Sequence, residues 1–463
     1  MAQVAIRIRF VDAVSERGAA IFCGAAAAGT GLVSALASQD GWLRSSALVH
    51  MAADEPIAAL ARATDPHFSF VTDVEHYDGV YFYAIARDPF ARGAAHELID
   101  QAPYRYGHPL HGWLAGLLSL GQASAVPAAL VVLSLAGMAI AAWSLSRLCS
   151  LAGASPWLGL VVAVVPGLLY ATTVSTSETV GAALVLSALL SWQLERWTLG
   201  AVLIAMCCFD KEPFVVIPVG LAVWEFAQWR RNGKPTRWGR RMLALSVGPL
   251  LFALWLGYVH ATLHHWPTSG QQGNLAAPVA GWRQTMTYAH NLAGGSFEQS
   301  QIGATTPPLL IALAALLLFA AAVALRLRTV ADAPLLGLVA ITACQGWLTL
   351  LYPHEIFRTP AVATVVALLV LLTSRRRDAS AAQERELADR TLGGRSERGY
   401  VRAVAENLTR HTRQDEPGGV AEDAAHIVGG TPLGADSRHQ ERPAQLVEVD
   451  PGVASRRADD DAE

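Results

Sequence analysis

Residues Ser155–Leu190 read SPWLGLVVAVVPGLLYATTVSTSETVGAALVLSALL, two apolar runs joined by a hydroxyl-rich turn in which Glu178 is the one charge. The runs, 156–173 and 177–195, each approach the roughly 20 helical residues needed to cross about 30 Å of hydrocarbon. Comparable runs recur along the chain and set the fold class: all-α, a polytopic transmembrane helix bundle. Composition agrees. The 463 residues are 52% hydrophobic and only 16% charged, too apolar for two or three soluble domains. The net charge of −3 says little about partners, because the charges gather in loops and a polar tail. A lipid bilayer is expected around the chain, and no nucleic acid.

The five cysteines (Cys23, Cys149, Cys207, Cys208, Cys344) all lie in apolar segments, with no CxxC pair or Cys/His ligand spacing. Neither a disulfide framework nor a zinc site is supported, and small core residues are the plain reading. His264-His265 does not make a metal pair, since adjacent residues do not share a helix face.

Working outward, hydropathy and helix length place about ten spans: 18–37, 124–147, 156–173, 177–195, 198–209, 213–228, 242–262, 307–326, 334–352 and 358–374. The first run follows RIRFVDAVSER with Arg7, Arg9 and Arg17; a cleaved signal peptide is the alternative to a retained span. The pair 198–209 and 213–228 is short and broken at Asp210–Pro213, as half-helices are where the break lines a protein-enclosed cavity. Pro109–Leu120 is apolar but too short to span and reads as interfacial or re-entrant. Basic clusters at Trp229–Arg241, Arg326/Arg328 and Arg375–Arg377 contrast with His264–Thr306, where Arg283 is the one Lys or Arg. The positive-inside rule then puts both termini in the cytosol and His264–Thr306 outside. Residues 1–17 form the cytosolic N-terminus, 18–377 the membrane domain with a first outer loop at 38–123, and 378–463 a polar, disordered cytosolic tail. The sequon Asn407-Leu408-Thr409 in that tail would stay unmodified on the cytosolic side.

The first outer loop carries the chemistry. TDVEHYDGVYFYAIARDPF (72–90) and APYRYGH (102–108) set Asp73, Glu75, His76, Asp78, Arg105 and His108 among tyrosines and phenylalanines. Val80–Arg87 reads as a short amphipathic helix with aromatics at the headgroup level, stopped near Pro89. The topology also brings Glu178, the group Asp210, Lys211 and Glu212, and the turn YPHEIFR with His354, Glu355 and Arg358 to the same face; their proximity does not follow from it. Charges at membrane depth are costly and face a cavity or one another. Asp78 is the candidate general base, an exposed carboxylate able to take the proton of an attacking hydroxyl; a turn or helix cap at Asp78-Gly79 is the alternative. Arg105, Lys211 and Arg358 are candidates to hold a phosphate, Arg by its planar fork and Lys as a point charge. For Arg358 a snorkelling arginine is the alternative, and for Lys211, Glu212 and Glu178 a structural ion-pair network. Asp73 and Glu75 supply hard oxygen ligands suited to a divalent cation, magnesium or manganese, with solvated loop acids the alternative; no cofactor is otherwise implied.

Three stretches together resemble the polytopic GT-C type membrane glycosyltransferases, especially the bacterial mannosyltransferase-like integral membrane proteins. They are YDGVYFYAIARDPF with APYRYGHPLHGWLAGLLSLG, the opening stretch with its glutamate, and FDKEPFVVIPVGLAV. The likeness covers residues 10–375 in pattern. It implies a multi-helix bundle, a polyprenyl-phosphate-linked sugar as donor, a cell-envelope glycan or lipid as acceptor, and a loop acid as base. Carried over, Asp78 matches the loop acid, Arg105 with Tyr104 and Tyr106 the Tyr-Arg-Tyr segment, and Lys211-Glu212 the break. His108 stands where relatives tend to carry an arginine. The expected setting is a bacterial plasma membrane. A glycolipid transporter or flippase, or a non-catalytic scaffold for envelope assembly, is the competing expectation, because broken helices and buried charges also mark carriers.

Overall fold

A computed structural model describes residues 2–39, 41–71, 76–233, 235–267 and 273–374. Asp73, Glu75, Arg375–Arg377, the tail at 378–463 and its sequon lie outside the described residues. Among the described residues the chain is helical, with two isolated bridges and no named strand. In order it forms α1 (Ala2–Ala37), α2 (Ala58–Thr64), α3 (Gly79–Arg87), α4 (Ala102–Arg105), α5 (Leu110–Leu118), α6 (Val126–Leu151), α7 (Pro166–Thr173) and α8 (Glu178–Gln193). There follow α9 (Trp197–Asp210), α10 (Val216–Asn232), α11 (Trp238–Leu263), α12 (Ala280–Leu292), α13 (Phe297–Ala324), α14 (Asp332–Ala343), α15 (Pro353–Arg358) and α16 (Ala361–Ser374).

Among the described residues, four helices are long and apolar enough to cross a membrane: the 15–37 part of α1, α6 with its preceding turn, α11 and α13. A fifth crossing results if the 3-10 helix Pro156–Val164 and α7 count as one span bent by 54°. The bend falls at Pro166, which has no N–H to continue the ladder. α9, α14 and α16 are apolar but shorter. Lipid suits the surface these helices present. Only 28% of the span window in α13 is buried, and Ile311, Leu318 and Phe319, with Leu250, Leu251 and Leu254 of α11, are exposed apolar side chains. In water such a face would forfeit roughly 25 cal/mol per Å² of apolar area.

α6 is the hub: it packs along α1, α5 and α8, while α8 packs on α9, α9 on α11, and α10 on α14. Small residues set the close crossings, as is usual where lipid gives no hydrophobic drive between helices. A Cβ on Gly137 of α6 would stand 2.7 Å from the Thr179 backbone of α8. One on Gly167 of α7 would collide with the Phe357 carbonyl of α15, so α15 is seated directly on α7.

Several elements differ from expectation. α1 runs unbroken back through 2–17, so the expected N-terminal tail is helical. α3 is not an interfacial amphipathic helix: Tyr81, Phe82 and Tyr83 are 4%, 4% and 1% exposed, covered by α5, α6 and neighbouring turns. The expected loop 264–306 contains α12 and the first turns of α13, launched by a capping box at Ser296 and Gln299. The expected span 334–352 stops at Ala343 and resumes only as the turn Trp347–Thr349. The break between α9 and α10 falls where expected, with Lys211 extended and a 3-10 turn over Glu212–Val215.

Candidate functional site

At one end of the bundle, the turn before α3, the start of α8, the break after α9 and α15 bring their charges together. Asp78 stands at the N-cap position of α3 but its side chain caps nothing. Gly79 is what lets it sit there: a Cβ on Gly79 would lie 2.5 Å from the Val49 carbonyl and 2.8 Å from that of Val174. Freed from capping, Asp78 Oδ1 accepts from Arg105 at 3.3 Å and Oδ2 from Arg358 at 2.9 Å.

Arg358 is the hinge of the cluster. Its Nη1 donates to Asp78 and, at 2.9 Å, to Glu178 Oε1, while Nε and Nη2 donate to Glu355 at 3.2 and 2.9 Å. Its side chain is 11% exposed, so it is no snorkelling arginine; three acids share it. Glu355 also accepts from the Tyr77 hydroxyl, and the Tyr77 ring lies 4.9 Å under the guanidinium. Lys211 Nζ donates to Glu178 Oε1 at 2.6 Å. Glu178 reaches this point because Ser175 takes a left-handed conformation, φ 50°, that swings the chain from α7 into α8.

Arg105 is braced from the opposite side. Its guanidinium lies 3.4 Å over the Tyr81 ring, a cation–π contact. The Tyr81 hydroxyl pairs with His76 Nε2 at 2.6 Å, and Glu55 holds the other nitrogen of that imidazole. Tyr104 and His108 pack edge to face at 5.3 Å, and His108 Nδ1 meets Glu212 Oε1 at 3.1 Å. Thus Glu212 joins the rim through His108 rather than through the central cluster.

The charges act on one another as their spacing requires. Burial alone would push the Asp78 carboxyl up, but Arg358, Arg105 and Lys211 outweigh it and hold the group well below the usual carboxylate range. Asp78 keeps 32% of its side chain exposed, the most open member of the cluster, while Glu178 at 1% is closed off.

Of the residues expected to act, the structure gathers Asp78, Arg105, Glu178, Lys211 and Arg358 into one network and sets Tyr104, His108 and Glu212 beside it. Tyr106 is the exception. It is fully buried, its hydroxyl donates to the Asp88 carbonyl at 2.6 Å, and its own carbonyl accepts from Trp255 at 2.7 Å. It is a core residue, because adjacent residues of a helical turn point about 100° apart and Tyr106 takes the inward direction. Two members have no assigned role in the sequence reading: Glu355, placed on the same face as Arg358 and at i, i+3 to it, and Tyr77, which adjoins Asp78. Among the described residues, no group of three His, Cys, Asp or Glu is arranged to hold a metal ion. No protein-family model matches this chain, and no curated protein matches it at a significant level.

Proposed function

We propose that the chain is a membrane glycosyltransferase of the GT-C type, moving a sugar from a polyprenyl-phosphate donor to a cell-envelope glycan or lipid. The site end faces the outside of a bacterial plasma membrane in this reading, with about ten crossings counting the short and broken helices, and both termini in the cytosol. One observation carries it: a partly exposed carboxylate, Asp78, bridges two arginines, each able to bind phosphate in its place.

The reading solves a difficulty that the geometry raises. A carboxylate held by two guanidiniums is a poor base. A donor phosphate entering the rim competes for Arg105 and Arg358, with Lys211 adding charge. As the arginines turn to the phosphate, Asp78 loses its partners and its affinity for a proton rises. The base is then activated only when donor is present. The acceptor O–H attacks the anomeric carbon and its proton goes to Asp78. The bond from that carbon to the phosphate oxygen breaks, the polyprenyl phosphate leaves with the electron pair, and the anomeric centre inverts. A divalent cation is not required by this scheme.

The test is labelled-sugar transfer from polyprenyl-phosphate donors in membranes holding equal amounts of wild type or Asp78→Asn. Loss of transfer in the variant alone supports the reading; equal transfer removes Asp78 as base. A second reading, a glycolipid carrier or envelope scaffold, draws on the same network differently: both Asp78 oxygens are already engaged, as in a structural clasp. Absence of transfer from every donor by well-folded wild type favours that reading.

A further inference from the structure

Beneath the ionic cluster lies a set of polar atoms that the network does not use. Asp210, the last residue of α9, is 0% exposed, and neither carboxylate oxygen has a partner. A Cβ on Gly181 of α8 would stand 2.8 Å from its Oδ2, so the carboxylate lies against the α8 face carrying Gly181. Residues three and four positions earlier share that face: Glu178 and Ser177. Glu178 Oε2 and Ser177 Oγ are also buried without a partner. Two carboxylates and a hydroxyl along this buried face thus leave four oxygens without a partner.

Buried polar atoms are rarely left this way, and a bare carboxylate in the interior is the most costly case. Charge balance shows what is missing. Asp78, Glu178 and Glu355 face Arg105, Arg358 and Lys211, three against three, with the half-exposed, solvated Asp100 also 3.7 Å from Arg105, and Glu212 faces His108. Asp210 is left over. Its neighbours in charge are Lys211, which already donates to Glu178, and Glu178 itself; His111 on α5, buried with both ring nitrogens unpartnered, feels that same pair.

We infer that Asp210, Glu178 Oε2 and Ser177 Oγ bind one small monovalent cation, sodium or a proton in its place. Hard oxygen donors select an ion of the alkali or alkaline-earth type, and one fully buried carboxylate with no cationic partner selects a monovalent one. The donors are too enclosed for a sugar hydroxyl or a lipid headgroup. The site ties α9 to α8 at the point where α9 ends, directly behind the Lys211–Glu178 pair. Cation binding there would set how firmly Lys211 is held, whatever the bundle does at its rim. This inference is independent of the glycosyltransferase reading.

The experiment is thermal unfolding of the purified full chain in detergent. One arm exchanges choline chloride for sodium chloride at constant ionic strength; the other scans pH 5–9 in choline. A sodium site raises the melting temperature by roughly 3–5 °C as sodium saturates it. A proton site gives instead a melting temperature in choline that falls as pH rises. In either case Asp210→Asn, which carries no charge to neutralise, abolishes the dependence. Gly181→Ala provides a second variant, its methyl pressing on Asp210 Oδ2 and on the Phe214 ring, and should move the sodium or pH midpoint without removing it. A wild type indifferent to both sodium and pH overturns the inference, as does an Asp210→Asn protein that keeps the wild-type dependence.

Discussion

Two carboxylates held by arginine sit at opposite ends of this bundle, and the protein treats them differently. At the far end Glu225 of α10 is 1% exposed and fully occupied: Trp192 Nε1 donates at 2.9 Å, and Arg241 donates to both oxygens at 3.1 and 2.9 Å. Arg241 in turn stacks 4.4 Å over Trp197. At the site end Asp78 shares Arg358 with two other acids, shares Arg105 with the face of Tyr81, and stays one-third open. α8 touches both ends, Glu178 at one and Trp192 at the other, about 21 Å apart along its axis. A closed pair has one arrangement and fixes helix against helix. An interleaved set of three acids and three bases has alternatives of similar energy, because any one partner can leave while the others close up. The first is suited to holding a fold, the second to exchanging a ligand.

The sharpest way to break that contrast is to remove one acid from each end. On the proposed glycosyltransferase reading, Asp78→Asn is expected to lower sugar transfer by about 10²–10⁴-fold, the range for loss of a general base, with little change in abundance. Glu225→Ala should do the reverse. It strands the Trp192 N–H and leaves Arg241 with only the exposed Glu195 at 3.7 Å, at about 3–5 kcal/mol of stability, so abundance and melting temperature fall while any transfer per folded molecule holds. If the two variants behave alike, the ends are not different in kind.

Much of the bundle could be read from the chain alone. Long apolar runs with arginine-rich turns gave the helical class, the break at Lys211 and the gathering of charge at one end, since these rest on local composition and helix length. What could not be read was tertiary. Asp78 and Arg358 are 280 positions apart, and nothing in either neighbourhood encodes the other. The burial of α3 depends on α5 and α6 covering it, so its aromatics looked like interface anchors when they are core. Tyr106 looked like Tyr104 because spacing of two residues does not show which way a short helix such as α4 turns each ring. The start of α13 was hidden behind Pro307-Pro308, which a helix tolerates here beyond its first turns.

Arg105→Lys sharpens the division within the site. A lysine keeps the charge but loses the planar fork and the stacking on Tyr81. If Arg105 grips donor phosphate, KM for donor should rise by about tenfold, near 1.4 kcal/mol, with kcat less affected. If the residue only braces Asp78, kcat falls and KM stays. Steady-state kinetics against donor concentration separates the two.

Acid titration probes the site end differently. The folded-state pKa of Asp78 lies below its unfolded value of about 4. The stability it contributes is therefore complete above that value and is lost as pH falls through the folded one. Melting temperature should hold from neutrality to about pH 5 and then drop, and Asp78→Asn should drop less steeply. A wild type and variant with parallel acid limbs would mean that Arg105 and Arg358 do not favour the ionised form.

The smallest effect is expected at Tyr106, the fully buried tyrosine of its motif. Tyr106→Phe removes a single hydrogen bond, to the Asp88 carbonyl, and leaves the ring against its neighbours, so stability should fall by about 1 kcal/mol. The Asp88 side chain keeps its other partners, the amides of Arg92 and Gly93 and the His96 ring, which limits any spread of the change. Transfer kinetics should not move at all. A change in donor KM with unaltered melting temperature would place the Tyr106 hydroxyl within reach of the substrate and require α4 to turn when donor binds, making the rim of the site a moving part rather than a fixed one.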